Sequence, residues 1–205
     1  MNHAVDEMPA QQAHSFAIGR YEVVKRGLDI LGGSIGLALT CLIYFPIAVV
    51  IKFDSPGPVI FTQERMGKDE HIFRVYKFRT MQWSPAPHGS KPGFDDERVT
   101  RVGRFLRRTS VDELPQFLNI LRGEMSLVGP RPEQLIFVEK YQPWQRRRFM
   151  VKPGLTGWWQ VNGRKQPMYD HVDEDIFYVE HCSLKLDLVI LWRTISAVLS
   201  GEGAI

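Results

Sequence analysis

Cysteine is nearly absent from this chain of 205 residues, and the two present, Cys41 and Cys182, make neither a CxxC pair nor a zinc-ligand spacing. That excludes a disulfide framework and a metal knuckle, and it suits a reducing, cytoplasmic side. The first twenty residues lack the apolar core of a signal peptide; rich in Ala, Gln and His and without hydrophobic period, they read as a mobile tail. Net charge is also scarce. Against 23 acidic side chains stand 26 basic ones, and a balance of +3 makes no case for nucleic acid; no basic-aromatic DNA-reading motif accompanies the arginines. The most informative absence is local: residues 30–51 contain no charged side chain. The closing apolar run, 184–199, differs, because Lys185, Asp187 and Arg193 interrupt it and make it an amphipathic or core helix instead of a second span.

A helix over the charge-free run would reach roughly 33 Å, enough to cross the hydrocarbon core. By length alone it is a transmembrane helix. Two features favour another geometry. Pro46 lies well inside the run, where it removes a hydrogen bond and kinks or breaks a helix, and cations flank both ends, Lys25-Arg26 and Lys52, leaving no positive-inside asymmetry. A hairpin-like helix that dips in and returns to the same face fits both. The remaining length suits one domain of ordinary size.

The pattern then turns soluble. Asp54-Ser55-Pro56-Gly57-Pro58 is turn chemistry, Val59–Thr62 reads as a strand, Gly67–Glu70 as a turn, and His71–Met81 as the returning strand. On that second strand Phe73, Val75, Lys77 and Arg79 share a face by period two, so two cations project from the end of an apolar strip; a solvated edge strand has the same look. Residues 83–94, with three prolines and two glycines, read as a loop able to cover a site. A helix follows in which Arg98, Arg101, Arg104 and Arg108, joined by Arg107, make a cationic stripe beside Val102, Phe105 and Leu106. Such a helix suits an anionic lipid surface, or is merely a solvated face.

Asp112-Glu113 comes next. Ser110-Val111-Asp112-Glu113 matches a capping box, with Ser110 as N-cap and Glu113 reaching back. Carboxylates at a helix start are also kept ionised by the helix dipole, so a cap and a nucleophile are compatible readings of Asp112. An amphipathic helix from Leu114 ends at Arg122-Gly123, and a short extended segment, Met125–Val128, leads to Gly129-Pro130-Arg131-Pro132. Prolines on both sides restrict Arg131, so its guanidinium, the fork suited to phosphate oxygens, is aimed. Arg146-Arg147-Arg148 reads as part of a surface helix, Lys152–Gly157 as a tight loop, Trp158-Trp159 as interfacial or core, and Tyr169–His181 as an acidic helix with most of its carboxylates solvated.

Four segments in this order, Tyr76-Lys77-Phe78-Arg79-Thr80-Met81, Asp112-Glu113-Leu114-Pro115-Gln116, Ser126-Leu127-Val128-Gly129-Pro130-Arg131-Pro132, and Pro153-Gly154-Leu155-Thr156-Gly157-Trp158 with Val161-Asn162-Gly163-Arg164, resemble the monotopic phosphoglycosyl transferases of the bacterial sugar transferase family, in its small, minimal form. The resemblance covers nearly all of residues 20–200. It implies an α+β protein: a tail over 1–20, a re-entrant membrane helix over 21–52, and over 53–205 a compact, mostly helical cytosolic domain with a short β-hairpin and interfacial amphipathic helices. The helix break falls at Pro46, although Phe45 stands where some members place a small polar residue. The family's chemistry implies that Asp112 attacks a nucleotide diphosphate sugar, most simply a UDP-sugar, and passes the sugar phosphate to polyprenyl phosphate, the first membrane step of polysaccharide or glycoconjugate assembly. Glu113 would hold Mg²⁺, with Asp175 as a further metal or site-ordering carboxylate, and Arg131, Lys77, Arg79 and Arg164 would contact phosphate. It further implies the cytoplasmic face of a bacterial inner membrane, anionic lipids as neighbours, and no nucleic-acid partner; self-association is left open. No motif identifies the sugar or its base.

Overall fold

A computed structural model describes residues 10–83, 96–162 and 172–200. Helix α1 (Ala10–Asp54) leads into an antiparallel hairpin, β1 (Ile60–Met66) and β2 (Ile72–Phe78), in which Ile60 pairs with Phe78 and Met66 with Ile72. The hairpin expected from the turn and strand patterns is therefore present. A two-residue strand, β4 (Glu133–Gln134), extends it on the β1 side to give the order β2-β1-β4. The outer edge of β2 is blocked by a side chain: the buried Asn119 amide accepts from Tyr76 N at 3.3 Å and donates to Arg74 O at 2.7 Å, imitating a strand where another chain could otherwise add.

The remaining elements are α2 (Arg101–Arg108), a 3-10 turn over Val111–Gln116, α3 (Phe117–Arg122), β3 (Ser126–Val128), α4 (Leu135–Val138), a 3-10 turn over Gln145–Met150, β5 (Gly154–Thr156), α5 (Trp158–Asn162), α6 (Val172–His181) and α7 (Leu184–Ser200). The sheet β3-β5 is parallel, an arrangement with no signature in the local sequence because its pairing is long-range. Gly129 closes it: its N–H donates to Thr156 O, and a Cβ there would lie 2.3 Å from the Lys152 carbonyl, so only glycine fits. Apolar side chains pack in contiguous groups: Phe73, Val75, Ile120 and Met125 under the hairpin, Ile51, Phe78 and Leu106 beside it, and Val128, Tyr178 and Ile190 against α6 and α7. Trp159 is in the core and Trp158 packs on Phe177, so the tryptophan pair fills space within the domain.

Helix α1 departs from the sequence reading at both ends. It begins at Ala10, within the stretch read as a tail, where Ala and Gln are good helix formers without an apolar period. It also continues through Pro46, so the expected break is not seen there. Neighbouring side chains anchor the helix across the proline: Tyr44 lies against Phe78, and Ile47 and Ile51 join the cluster around Leu106. The part from Gly19 to Asp54 is long and apolar enough to cross a membrane. Yet one face follows the domain throughout. Lys25 pairs with Asp187 at 2.7 Å, Arg26 caps α3 through the carbonyls of Ile120 and Leu121, and buried Asp29 accepts from Ser126 Oγ and Leu127 N. Farther on, Gly32, Gly33 and Gly36 sit against Leu127, Leu121 and Phe117, and Thr40 donates to Leu114 O. Leu31, Ile35, Leu39, Leu42 and Phe45 are exposed along the helix, as is Phe53 at 89%.

Candidate active site

The acidic pair sits on the 3-10 turn between α2 and α3, and the capping box expected there does not form. Ser110 has φ of 56°, the left-handed region instead of the extended backbone an N-cap needs, and its side chain caps nothing. Glu113 does not reach back because two cations take it. Its Oε1 accepts from Lys77 Nζ at 2.6 Å, across from β2, and from Arg131 Nη2 at 3.1 Å. The structure thus brings together Asp112, Glu113, Lys77 and Arg131, residues far apart in sequence.

The two carboxylates differ electrostatically. Burial opposes ionisation of Glu113, but Lys77 and Arg131 outweigh it and hold its carboxyl well below the usual carboxylate range. Asp112 is 8% exposed, and among the described residues no donor hydrogen-bonds its carboxylate. Burial pushes it up to about 6; Lys77, Arg107 and Arg131 oppose that shift, while Glu113 adds to it. A pKa raised to this level still leaves the carboxylate mainly charged at neutral pH, poorly solvated and, among the described residues, without a hydrogen-bonded partner.

Arg107 is a site residue that the sequence reading left among the lipid-facing stripe. Its Nε donates to Thr80 Oγ1 at 3.0 Å and its charge acts on Asp112. Spacing does not distinguish it from exposed Arg108. Packing does: Gly103 lies directly on the Thr80 backbone, where a Cβ would come 1.9 Å from the carbonyl oxygen, and this contact rolls α2 so that Arg107 turns inward.

Arg79 is placed elsewhere. Its guanidinium, 3% exposed, donates to the carbonyls of Ser55 at 2.6 Å and Pro56 at 2.8 Å and so closes the C-terminal end of α1. Asp175 is also not brought to Glu113: it is sealed against Arg148 at 2.5 Å. Arg148 itself, read as a surface residue, is buried, whereas half-buried Arg146 and exposed Arg147 pair with Glu70 and Glu180. Arg164 lies outside the described residues, as does most of the 83–94 loop.

Among the described residues no group of three or more His, Cys, Asp or Glu is arranged to hold a metal. Mg²⁺ does not require one. It is commonly held by one or two carboxylates with substrate phosphates and water completing the shell, and Glu113 is a carboxylate that could serve such an ion. Both cations converge on Oε1 of Glu113.

Residues 20–201 match the family model described as bacterial sugar transferase. Over 192 residues, 90% of this chain and 45% of the relative, the chain is 44% identical to a UDP-N-acetylgalactosamine-undecaprenyl-phosphate N-acetylgalactosaminephosphotransferase of Aeromonas hydrophila. It is 37% identical over 219 residues to a UDP-glucose:undecaprenyl-phosphate glucose-1-phosphate transferase of Caulobacter vibrioides, covering 99% of this chain and 82% of that protein. A protein of the same description from Escherichia coli K12 is 40% identical over 187 residues, 86% of this chain and 40% of its own length. The chain thus spans a little under half of the Aeromonas and Escherichia coli relatives.

Proposed function

Because the chain belongs to the bacterial sugar transferase family, we propose that it transfers a sugar 1-phosphate from a nucleoside diphosphate sugar, a UDP-sugar by analogy with its relatives, to polyprenyl phosphate. The observation that supports the mechanism is the setting of Asp112: buried, without a hydrogen-bond donor on its carboxylate among the described residues, and within the electrostatic reach of Lys77, Arg107 and Arg131. A carboxylate oxygen of Asp112 attacks the β-phosphorus. A P–O bond forms, the bond from that phosphorus to the bridging oxygen breaks, and the nucleoside monophosphate leaves with the electron pair. An oxygen of polyprenyl phosphate then attacks the same phosphorus and returns Asp112 to its carboxylate. Lys77 and Arg131 sit where a diphosphate approaching Asp112 meets them, offering charge-assisted hydrogen bonds as negative charge spreads over the transferring group. Glu113 would hold Mg²⁺, which when bound neutralises diphosphate oxygens. Burial around Asp112 limits competing attack by water.

The membrane reading follows from α1. Both ends of its charge-free run hold one polar domain, at Asp29 and at Ile51, so a helix crossing the bilayer would have to carry one of those contacts to the far side. These contacts support a helix that enters and stays with the leaflet on which the domain lies, with the exposed Leu31, Ile35, Leu39, Leu42 and Phe45 facing lipid. The cationic and amphipathic surfaces of α2 and α7 lie in the headgroup region of the inner leaflet. Cysteine-accessibility labelling in intact cells tests this: the segment before Tyr21 and the domain after Lys52 label from the same, cytoplasmic side, and a periplasmic N-terminus overturns it.

Initial rates measured against both substrates test the chemistry. A covalent carboxylate intermediate releases the nucleotide before the acceptor binds and gives parallel double-reciprocal plots; intersecting plots point to direct attack by the lipid phosphate, with Asp112 as base or metal ligand.

A further inference from the structure

A second charged cluster lies behind the site and is not used by the chemistry above. Its centre is Arg148, 1% exposed, whose Nη2 donates to Asp175 Oδ2 at 2.5 Å and to the backbone carbonyl of Arg131 at 2.8 Å. Its Nη1 donates to the Tyr141 hydroxyl at 2.6 Å, and that hydroxyl donates to Glu133 Oε2 at 3.2 Å. A second, half-buried guanidinium holds the next carbonyl: Arg65 Nη1 donates to Pro132 O at 3.1 Å, while its Nη2 is fixed by Gln63. Pro130 O in turn accepts from Gly154 N. Three consecutive carbonyls, those of Pro130, Arg131 and Pro132, are thus gripped from the domain interior, and the residue in the middle is the one whose side chain meets Glu113.

A buried ion pair contributes little net stability compared with apolar residues of the same volume, so the placement of Arg148 and Asp175 calls for a geometric explanation. A side chain that must meet a transferring phosphate loses about 100-fold in rate when misplaced by about 1 Å. We infer that the Arg148–Asp175 pair is a positioning device for Arg131, acting through the Arg131 carbonyl, and that Asp175 serves the site in this way and not as a metal ligand. The inference deepens the proposed function and rests on its assignment of Arg131 and Glu113.

The test uses the full chain in detergent or nanodiscs, with Asp175→Asn, Arg148→Lys, the double variant and the milder Tyr141→Phe. Asp175→Asn and Arg148→Lys each lower kcat/KM for the nucleotide sugar by about 100-fold, the double variant is no worse than about threefold beyond either, and Tyr141→Phe loses about tenfold. The Mg²⁺ concentration for half-activation stays within about twofold of the parent in all four, because no metal ligand has been removed. Amide exchange across residues 129–134 becomes faster in all four variants, a readout independent of turnover. Arg147→Ala, which breaks an exposed pair between the same two elements, leaves every readout unchanged. A tenfold or larger rise in the Mg²⁺ requirement of Asp175→Asn, absent in Arg148→Lys, overturns the inference in favour of a metal role. So does parent-like kcat/KM in Tyr141→Phe together with unchanged exchange at 129–134, which decides the matter even if Asp175→Asn does not fold. Asp112→Asn, assayed in parallel, separates the two levels: if it retains turnover the proposed chemistry fails, whereas an inactive Asp112→Asn beside a shifted Mg²⁺ requirement in Asp175→Asn removes only the positioning role.

Discussion

Two charged clusters meet at the Pro130–Pro132 loop, and they are built in opposite senses. Around Asp112 and Glu113 the cations Lys77, Arg107 and Arg131 are in surplus, and Glu113, Lys77 and Arg131 keep part of their surface. Around Arg148 the carboxylates Asp175 and Glu133 are in surplus, and all three side chains are sealed. A partly open cluster with spare positive charge can receive an anion; a sealed one has its partners already and can only hold its surroundings in place. Pairing separates their electrostatics as well. Asp175, like Asp112, is pushed up to about 6 mainly by burial, but Arg148 holds its carboxylate in a fixed pair while Asp112 has none among the described residues.

The most damaging way to break the open cluster is Asp112→Asn, expected to abolish turnover, a loss of about 10⁴-fold or more, because an amide has no anionic oxygen for attack. The same variant is not destabilised. Since the folded pKa of Asp112 is raised from 3.8 to about 6, ionising it opposes folding; this penalty is absent below the lower value, grows between the two and is complete above the higher. Denaturation at pH 4 and pH 7 should therefore show the variant gaining on the parent as pH rises. In the sealed cluster the order of effects reverses: Arg148→Met leaves Asp175 and Glu133 buried without their cation and costs about 3–5 kcal/mol of stability, read from a urea midpoint. Lys77→Met, at the open cluster, costs about 1 kcal/mol or less yet lowers kcat by about 100-fold. Equal stability losses for the two methionine variants would erase the distinction drawn between the clusters.

A gentler probe is pH. Protonation of Asp112 below about 6 removes the proposed nucleophile, and Asp175, raised to about 6 as well, loses its charge in the same range, so kcat/KM falls by about tenfold per unit or more there while Glu113 stays ionised. The smallest expected effect is that of Gly36→Ala on α1. Its Cβ would lie 2.5 Å from the Phe117 ring, so the helix shifts off α3 at a cost of about 1–3 kcal/mol, seen as a lower melting temperature with the chemistry intact.

What the sequence made legible was whatever local pattern determines. The hairpin followed from two apolar strands around Gly67–Glu70, the stop of α3 from Gly123, which has φ of 80°, and Asp112-Glu113 with Arg131 from residue type and proline flanks. What it hid was set by packing at a distance. Lys77 and Arg79 share a strand face by period, yet β2 ends at Phe78 and the exposed carbonyls at the end of α1 draw Arg79 away. Arg146, Arg147 and Arg148 are consecutive and chemically identical, and only the position of Asp175 decides which one is buried. Ser110 matched a capping box, but a left-handed backbone and the pull of Lys77 and Arg131 on Glu113 disassembled it. Pro46 spoke for a break, whereas the helix is held on both sides of it by the domain.

The most direct measurement is intact-mass analysis of the protein incubated with nucleotide sugar alone and quenched rapidly without acid. The account predicts an added sugar phosphate that maps to Asp112, is absent in Asp112→Asn, and disappears when polyprenyl phosphate is supplied. Turnover that proceeds with no adduct at any early time point, accompanied by intersecting initial-rate plots, would contradict it.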